Sequence, residues 1–572
     1  MRIPNYSFVV VAGSACLAVA QGFQPTPVMG WNSYNQMACS PNDAKITEAI
    51  NSLTERGFVK AGYKFFQLDC GWASRDGKRN TTTGALKIDL DRFPNGLLPL
   101  SNLARSKGMK WSMYSDAGVR MCDTQVPSPV LGSLGNEAAD ADLFKALKTE
   151  YVKCIVYDIA LIGLWPLTRV IDDNCYVDGP LSSQNAPKAP RTDFVARFTT
   201  MWKELQRVGI TGMLICQWGV PYSTSNGLKG PSQWTKGLST SFRLSDDIAT
   251  GWANVYRIYN QGVHIAKLGI IGPGNIADAD MLEVGNNGMT FDEQATHFAF
   301  WAMFKSALMI STNVSALSNE LVAVLQNQEL IAINQDPAVK PIELVQRWTA
   351  DRDLWAADLT NGDIAVLVVD LSNTRRSLSL QLSELGIKSA DIKDLWTSAT
   401  IKNIGSYSKE VNGHGSIALR LSNVQRASGS TPQYNYISVS NGALASGANI
   451  QPCEGCASSK KVGNVGGTSN GSVVLSNIRT SRANQTVKFD YINCEIGYLG
   501  SSNNERLASI SVNGGPIQVV SFPLSGYNWA RDIYTGYGVT LSGFNTEGPN
   551  SIRISGVGGG WAPDFDQIAV IA

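Results

Sequence analysis

Glu150-Tyr151-Val152-Lys153 and Asp173-Asn174-Cys175-Tyr176 are two short pieces of sequence separated by nineteen residues, Cys154 to Asp172. With a single tyrosine in place of those nineteen residues, the chain would read Tyr-Val-Lys-Tyr-Asp-Asn-Cys-Tyr. Lys153 and Asp173 would then be two positions apart, and on a β-strand both side chains would point the same way. The joined version therefore predicts a strand that delivers a lysine and a carboxylate into one pocket.

The interruption has the features of a retained intron. Exchanging nineteen residues for one removes eighteen codons, or 54 nucleotides, and keeps the reading frame. Cys154 can supply a GT donor, and Ile171-Asp172 an AG acceptor that leaves a tyrosine codon. Leu167-Thr168 can contain a CTAAC branch point. A genuine loop insertion is the alternative, because codon degeneracy makes such matches easy to find. We interpret residues 154–172 as a suspected retained-intron insertion.

Residues 21–337 alternate between short apolar runs and segments with helical periodicity. The predicted strands include residues 65–68, 111–114, 213–216 and 270–271. Asn42 to Arg56 and Phe194 to Val208 repeat apolar residues every three or four positions, which predicts helices. Alternating strands and helices over roughly 300 residues predict a parallel (β/α)₈ TIM barrel, an α/β fold.

Polar side chains end five of the predicted strands: Asp69, Tyr114, Asp173, Gln217 and Asp247. The gaps between them are 45, 59, 44 and 30 residues, and removing the eighteen surplus residues shortens 59 to 41. The spacing therefore favours excision of the inserted segment. In such barrels the chemistry lies at the carboxyl ends of the strands, where these five residues fall.

From residue 338 the pattern changes to strands alone, as in residues 364–369 and 377–380. We expect an antiparallel β-sandwich over residues 338–423. Residues 424–433 have the composition of a linker. Residues 434–572 are β-rich again, with many Gly, Ser and Asn residues, and predict a second β-sandwich.

The formal net charge of +1 gives no electrostatic reason to expect nucleic acid or a membrane surface as a partner. An apolar run follows Met1-Arg2 and ends Ala18-Val19-Ala20. It predicts a signal peptide over residues 1–20, too short to span a membrane, and hence a secreted, extracellular protein. Four Asn-x-Ser/Thr sequences are candidate glycosylation sites: Asn80, Asn313, Asn470 and Asn484.

Ten cysteines are present, of which Cys16 leaves with the signal peptide and Cys154 lies at the edge of the interruption. The other eight suit an oxidising compartment. Cys216 is a candidate buried free thiol, and at most one bridge can close among three C-terminal cysteines: Cys453, Cys456 and Cys494. The chain has three histidines, none at ligand spacing, so we expect no metal in the catalytic site.

Seven motifs, in order along the chain, resemble glycoside hydrolase family 27, the α-galactosidase family. The joined motif described first resembles the nucleophile motif of that family. The other six are residues 30–34, 68–72, 216–219, 243–248, 272–286 and 334–337. The resemblance covers nearly all of residues 25–337. It implies disulfides Cys39-Cys70 and Cys122-Cys175, and hydrolysis with retention of terminal α-D-galactosyl residues from oligosaccharides and galactomannans.

The resemblance also implies the two carboxylates of a retaining mechanism, with Asp173 as nucleophile and Asp247 as acid/base. Asp158 is a rival nucleophile if the interruption is translated. Asp246 is adjacent to Asp247, but the family spacing from Arg243 selects Asp247. The alternative for Asp173 and Asp247 is a helix N-cap.

Roles in sugar recognition carry over in the same way. Trp31 would stack on the sugar, unless it is a core tryptophan. Asp69 would bind the 4- or 6-hydroxyl and Lys153 the 3- and 4-hydroxyls. Further roles fall to four residues that would steady the nucleophile, bind the 2-hydroxyl or line the pocket: Tyr114, Gln217, Arg243 and Asp280.

Two departures from the family pattern bear on the substrate. Cys70 follows Asp69 where many members have a second aspartate, which weakens the expected 6-hydroxyl contact. Gln217 stands where many members have glutamate. Its bulk disfavours a 2-acetamido group, which argues for galactose over N-acetylgalactosamine.

Residues 510–515, 551–554 and 561–566 resemble carbohydrate-binding module family 35. Trp529 or Trp561 would stack on a glycan, or alternatively serve as structural aromatics. Such modules often hold Ca²⁺, whose ligands the sequence does not identify. Other interpretations are a relative specific for β-L-arabinopyranosides or α-N-acetylgalactosaminides, and a non-catalytic glycan-binding protein if the inserted segment is present.

Overall fold

The computed structural model describes residues 25–154, 175–176, 194–216, 222–224, 227–428, 432–497 and 502–572. Ten described strands precede residue 311: β1 (Met29–Asn32), β2 (Phe65–Leu68), β3 (Lys110–Ser115), β4 (Thr149–Cys154), β5 (Gly212–Ile215), β6 (Tyr222–Thr224), β7 (Gly227–Lys229), β8 (Ser241–Arg243), β9 (Ile276–Asp278) and β10 (Leu308–Ile310). Eight of them form one parallel sheet in the order β10-β1-β2-β3-β4-β5-β8-β9, and β6 pairs with β7 as a separate hairpin.

The two edges of this sheet meet. Leu282, four residues after β9, forms a parallel bridge with Ile310 of β10. The eight-stranded sheet is therefore closed into the predicted barrel, and the carboxyl ends of all its strands lie on one rim.

Helices connect the strands and cover the barrel: α1 (Tyr34–Met37), α2 (Asp43–Glu55), α3 (Phe58–Ala61), α4 (Leu98–Ser106), α5 (Glu137–Ala146), α6 (Phe194–Arg207), α7 (Trp252–Lys267), α8 (Phe291–Met303), α9 (Asn319–Leu325) and α10 (Gln328–Asn334). The two helices predicted from periodicity, α2 and α6, are confirmed. In α2 the Asn42 side chain caps the amide of Lys45, and Ile46, Ile50 and Leu53 are buried on one face.

One predicted strand is wrong. Ile270 and Ile271 lie between the end of α7 and the turn at Gly272–Asn275, and the strand is β9, five residues further on. Both side chains pack against the hydrophobic core, with Ile271 buried and Ile270 half-buried. Pairing with the preceding barrel strand is made by Ile276, which lies beside Ser241 of β8.

Antiparallel strands follow the barrel: β11 (Glu343–Trp348), β12 (Arg352–Asp358), β13 (Ile364–Asp370), β14 (Arg376–Gln381), β15 (Ile387–Asp394), β16 (Thr400–Ile404), β17 (Ser406–Val411) and β18 (Ser416–Arg426). They form a six-stranded sheet, β11-β12-β13-β18-β15-β16, and a two-stranded sheet, β14-β17. A separate apolar cluster that includes Val366, Leu380 and Leu419 fills the space between them. This is the predicted β-sandwich, and β18 runs to Arg426, inside the predicted linker.

The C-terminal unit, called the C-terminal module below, contains β19 (Tyr434–Ser438), β20 (Ala443–Ala445), β21 (Asn449–Pro452), β22 (Lys460–Gly463), β23 (Ser472–Ile478), β24 (Asn484–Ile492), β25 (Glu505–Val512), β26 (Gln518–Pro523), β27 (Tyr534–Ser542), β28 (Asn550–Gly556) and β29 (Asp564–Ile571). One sheet runs β21-β22-β29-β24-β27, with β19 also on β29, and the other runs β20-β23-β28-β25-β26. Phe522 of the second sheet packs 5.4 Å from Phe565 of the first, centroid to centroid. The second predicted β-sandwich is therefore present.

Three disulfides join described cysteines: Cys39–Cys70, Cys122–Cys175 and Cys453–Cys456. The first two confirm the pairings implied by the family resemblance, and the third resolves the choice left open in the C-terminal module. Cys216 and Cys494 are buried and unbridged. Burial raises the pKa of the Cys216 thiol well above its ordinary value.

Candidate active site

The ends of β2, β3 and β4 bring three predicted site residues to the same rim of the barrel. Tyr114 of β3 lies directly beside Lys153 of β4 in the parallel register, so both side chains point to the same face. Asp69 follows the last residue of β2. The Lys153 Nζ atom is 2.9 Å from the Asp69 Oδ2 atom, in an ion pair that is almost completely buried. The two residues predicted to bind neighbouring sugar hydroxyls are therefore in contact.

Asn32 belongs to this group, although sequence reasoning did not single it out. Its Nδ2 atom donates to Asp69 Oδ2 at 2.8 Å and to Gln67 Oε1 at 2.8 Å. The other carboxylate oxygen of Asp69 accepts from the backbone amide of Cys70 at 2.8 Å. Asp69 is thus held by a cation, a side-chain amide and a backbone amide. The signal for Asn32 was its place at the end of β1, within a motif already recognised.

Arg243, the last residue of β8, joins two more predicted site residues. Its Nη1 atom is 2.9 Å from Asp247 Oδ1, and its Nη2 atom is 2.7 Å from Asp280 Oδ2. Burial disfavours the guanidinium, but the nearby carboxylates, led by Asp280, outweigh it and hold the pKa of Arg243 well above its ordinary value. Arg243 is therefore a fixed positive charge between two carboxylates.

The structure separates the two adjacent aspartates after β8. Asp246 forms a buried ion pair with Arg257 of α7, whereas Asp247 pairs with Arg243. Asp246 is 1% exposed and Asp247 is 8% exposed. Asp247 shares Arg243 with Asp280, whereas Asp246 faces α7, and the role of Asp247 as acid/base stays a prediction.

Two further buried carboxyl groups lie near Asp280. Burial raises the pKa of Asp278 to about 6, and the neighbouring Arg243 opposes this rise. Burial raises the pKa of Glu283 to about 7, although Asn35 and Asn286 each donate a 2.6 Å hydrogen bond to its carboxylate. Neither group was predicted from the sequence.

Asp280 has an uncommon backbone conformation, and its side chain is held by several contacts. Its φ angle of 79° lies in the left-handed region, where a residue with a Cβ atom is uncommon. Its carboxylate accepts from the backbone amides of Ile248 and Met281, both at 2.8 Å. These bonds, with Arg243, hold Asp280 against the turn that carries Asp247. Strain of this kind is often found at functional sites.

The far side of the interruption is anchored to the loop after β3. Cys175 is bonded to Cys122, and the Tyr176 hydroxyl accepts from the Ser128 amide at 2.5 Å. Three candidate residues lie outside the described residues: Asp158, Asp173 and Gln217. The predicted roles of Asp173 as nucleophile, Asp158 as rival, and Gln217 at the 2-hydroxyl stay predictions.

Trp31 is fully buried. Its ring packs 4.9 Å from that of Phe66, and its Nε1 atom donates to the Thr312 carbonyl at 2.9 Å. Tyr114 is also fully buried. The Trp31 ring has no surface exposed to solvent in this chain. Stacking of Trp31 on a sugar stays a prediction.

The remaining sequence predictions concern the surface and metals. Asn80, Asn470 and Asn484 are exposed, and Asn313 is half-buried, so the first three leave room for a glycan. Among the described residues, no group of three or more His, Cys, Asp or Glu side chains is arranged to hold a metal ion. No helix in the described part of the chain is both long and apolar enough to cross a bilayer.

Comparison with protein families gives two matches. The family described as "Alpha galactosidase A" matches residues 26–160 and 175–336, and "Alpha galactosidase C-terminal beta sandwich domain" matches residues 349–421. The first match omits residues 161–174, which lie almost wholly within the suspected insertion. It includes Asp158 and leaves out Asp173. Neither match extends past residue 421.

The chain is similar to curated fungal proteins. It is 32% identical over 425 residues to "Probable alpha-galactosidase D" of Aspergillus niger, covering 73% of this chain and 59% of the relative. It is 29% identical to "Alpha-galactosidase D" of Emericella nidulans, covering 72% of this chain and 60% of the relative. The chain therefore spans about three fifths of the length of the curated relatives it matches.

Solved structures share the fold. Alpha-galactosidase I from Mortierella vinacea superposes with a TM-score of 0.61 at 24% identity, covering 72% of this chain and all of that one. The α-galactosidase from Saccharomyces cerevisiae with raffinose gives 0.57 at 24% identity, covering 70% of this chain and 98% of that one. These likenesses support the barrel and the following β-sandwich.

Proposed function

The chain belongs to glycoside hydrolase family 27, the α-galactosidase family, and on that premise we propose that it hydrolyses terminal non-reducing α-D-galactosyl residues. One observation carries the proposal. Arg243 holds Asp247 and Asp280 at one part of the rim, while Lys153 holds Asp69 at another. Carboxylates fixed by cations at strand ends are suited to bind several hydroxyls of one sugar and to transfer a proton.

The proposed reaction is a double displacement. Asp173 attacks the anomeric carbon while Asp247 protonates the departing glycosidic oxygen, and the bond from that oxygen to the anomeric carbon breaks. Asp247, now ionised, then takes a proton from water, whose oxygen displaces Asp173 from the anomeric carbon. Two inversions return the α-anomer of galactose, and both carboxyl groups regain their starting states. No metal ion takes part in this scheme.

Arg243 supports the proposed role of Asp247. The two terminal nitrogens of the guanidinium each contact one carboxylate and so fix the orientation of both carboxylates. An acid that serves two half-reactions must keep its position through both of them. Lys153 does the same for Asp69. We propose that sugar hydroxyls bind to this pre-oriented set, with Lys153 and Asp69 at the 3-, 4- and 6-positions.

Substrates would be oligosaccharides and galactomannans outside the cell, because the predicted signal peptide directs the chain to secretion. The raffinose present with the Saccharomyces cerevisiae enzyme is an oligosaccharide of this class. Galactose is preferred over N-acetylgalactosamine in this proposal because Gln217 would occupy the space of a 2-acetamido group.

The C-terminal module is proposed to bind glycans, in line with its resemblance to carbohydrate-binding module family 35. A shallow cavity of about 270 Å³ is lined by Trp529, Trp561, Lys461, Arg506 and Asp564. Trp561 is 45% exposed, and the Arg506 guanidinium lies 4.6 Å from the Trp529 ring centroid. Exposed aromatic faces beside polar groups suit sugar stacking. Ca²⁺ in this module is a proposal without identified ligands.

The activity is tested with the form in which one tyrosine replaces residues 154–172. We expect hydrolysis of p-nitrophenyl α-D-galactoside, with much slower hydrolysis of the β-L-arabinopyranoside and the α-N-acetylgalactosaminide. Proton NMR should show α-galactose as the first product. No turnover in this form, or β-galactose as the first product, would overturn the proposal.

A further inference from the structure

Arg257 of α7 contacts both residues of the turn that carries Asp247. The Arg257 side chain is completely buried and forms an ion pair with Asp246. Its Nη2 atom donates to the backbone carbonyl of Asp247 at 3.0 Å. One guanidinium therefore fixes both residues of the Asp246-Asp247 pair, by the carboxylate of the first and the backbone of the second.

Arg257 is part of a polar stripe along α7. Arg257, Asn260, Gln261 and His264 have the spacing of one helix face, and all four are buried. Buried polar side chains in a helix require hydrogen-bond partners from whatever packs against them. The Arg257 side chain pairs within the barrel, whereas Asn260 and Gln261 have partners from beyond it.

Asn503 and Asn504, in the loop that precedes β25, supply those partners. The Asn504 Nδ2 atom donates to the Arg257 backbone carbonyl at 3.1 Å, and Asn260 Nδ2 donates to the Asn503 carbonyl at 2.8 Å. Asn504 is itself fixed, because it is fully buried and its Oδ1 atom accepts from the Gly497 amide at 2.6 Å. The C-terminal module thus bonds directly to the residue that holds the Asp247 turn.

Further contacts fasten the module to the same side of the barrel. The ring of Tyr527 packs edge-on to His264, with centroids 5.3 Å apart, and it fills the space above Gly230, where an added Cβ atom would lie 2.3 Å from the ring. Arg347, in β11, donates to Asn260 Oδ1 at 2.8 Å and to Ser521 Oγ at 3.1 Å. A tethered module would make few such contacts, whereas these join three units around α7.

We propose that the C-terminal module is a built-in part of the catalytic unit, and that Asn504 and Arg257 are positioning residues for the acid/base Asp247. The proposal rests on the proposed function for its effect on catalysis, but the mechanical link can be measured without turnover. The linked chain runs from Asn504 through the α7 backbone to Arg257 and then to the Asp246-Asp247 turn.

The first test uses the form with one tyrosine in place of residues 154–172 and needs no activity. Hydrogen exchange is followed at Leu244 and Ile248, whose amides donate to the Asp278 carbonyl and the Asp280 carboxylate. Asn504→Ala should speed exchange at both amides by about tenfold, since it removes a buried hydrogen bond. Asn435→Ala, on an exposed asparagine of β19, is the matched control and should change neither. Unchanged exchange in Asn504→Ala would overturn the proposal.

The second test uses the form with one tyrosine in place of residues 154–172. A misplaced acid should slow release of a poor leaving group most, so Asn504→Ala and Arg257→Lys should lower kcat on raffinose by about tenfold or more. On dinitrophenyl α-galactoside, whose leaving group needs no proton, the loss should stay below about twofold. Equal losses on both substrates would indicate a general structural role and overturn the positioning claim. Absence of all activity would instead count against the proposed function, with the exchange result unaffected.

Discussion

The barrel rim has one complete side and one interrupted side. At β8 and β9, Arg243, Asp247 and Asp280 follow one another without surplus sequence, and their side chains form one connected group. At β4, Lys153 forms its ion pair with Asp69, but the predicted nucleophile, Asp173, lies twenty residues later in the chain. Both sides carry motifs of the same family, so the difference lies in the inserted residues and not in the barrel.

The described flanks of the interruption are fixed to the rest of the barrel. Lys153 keeps its register beside Tyr114, and Cys175 keeps its disulfide to Cys122. Yet Trp31, Asp69, Tyr114 and Lys153 are all at most 2% exposed. Arg243 and Asp280 on the complete side are 1% and 4% exposed, so burial of the site residues does not distinguish the two sides. Removing the insertion is expected to give the interrupted side a connected group of side chains like that of the complete side.

The largest expected effect is that of the insertion itself. The 572-residue form should be inactive or poorly folded, because nineteen residues between Lys153 and Asp173 remove the two-residue spacing that points both into one pocket. The form with one tyrosine in their place should turn over with a kcat on the order of 1–10³ s⁻¹. Activity is measured on p-nitrophenyl α-D-galactoside for both purified proteins.

Comparable specific activity of the two forms would contradict this prediction and make the segment an ordinary loop. The shorter form also lacks Asp158, so its activity would exclude that residue as the nucleophile. Sequencing the mature transcript across codons 150–176 provides an independent check, with a 54-nucleotide deletion as the expected result.

The second largest effect is expected for the two proposed catalytic carboxylates, Asp173 on the interrupted side of the rim and Asp247 on the complete side. In the shorter form, Asp173→Asn should lower kcat by about 10³-fold or more on every substrate, because no covalent intermediate can form. Asp247→Asn should cause a similar loss on raffinose but a smaller one on dinitrophenyl α-galactoside, which needs no proton at its leaving group. Near-normal activity of either variant would remove that residue from its proposed role.

Much of this architecture was predictable from the sequence, and the reasons are physical. Strand-end residues such as Asp69 and Tyr114 stand out because a polar residue after an apolar run marks the rim of a parallel barrel. Arg257 and Asn504 could not be recognised, since their partnership joins residues 247 positions apart on different units. Ile270 and Ile271 were mistaken for a strand because a two-residue apolar run has no periodicity. The choice of Asp247 over Asp246 came from family spacing. In the structure the two aspartates pair with different arginines, Asp247 with Arg243 and Asp246 with Arg257.

The third effect concerns the complete side alone. Burial raises the pKa of Glu283 to about 7, against 4.5 for an ordinary glutamate. The folded state then holds a proton that the unfolded state has lost, so the free energy of unfolding should fall as pH rises from 4.5 to 7, by up to about 3 kcal/mol. Glu283→Gln should remove this part of the slope, as measured by urea unfolding at pH 4.5 and 7. The matched control is Glu410→Gln, on an exposed glutamate of β17.

Where the 572-residue form folds, the result should be the same in both forms, because the Glu283 carboxylate accepts from Asn35 and Asn286 and its backbone amide donates to His297 Nε2 at 3.0 Å. A pH slope that Glu283→Gln leaves unchanged would mean that other groups dominate it. A slope that appears in one form only would show that the insertion disturbs both sides of the rim.

The smallest effect is expected for Gln217, which follows β5 in the chain, between the interrupted and complete sides of the rim. Gln217 follows Cys216, whose sulfur accepts from Arg243 Nη1 at 3.2 Å, so this strand end adjoins the complete side. If Gln217 faces the 2-position of the sugar, Gln217→Ser should open room for an acetamido group and remove one hydrogen bond to a 2-hydroxyl. The ratio of kcat/KM for N-acetylgalactosaminide over galactoside should then rise by about tenfold, the change that one lost contact typically gives. Gln233→Ser, on an exposed glutamine after β7, is the control and should leave the ratio unchanged. Equal ratios in the two variants would place Gln217 away from the sugar, and the preference for galactose would then need another cause.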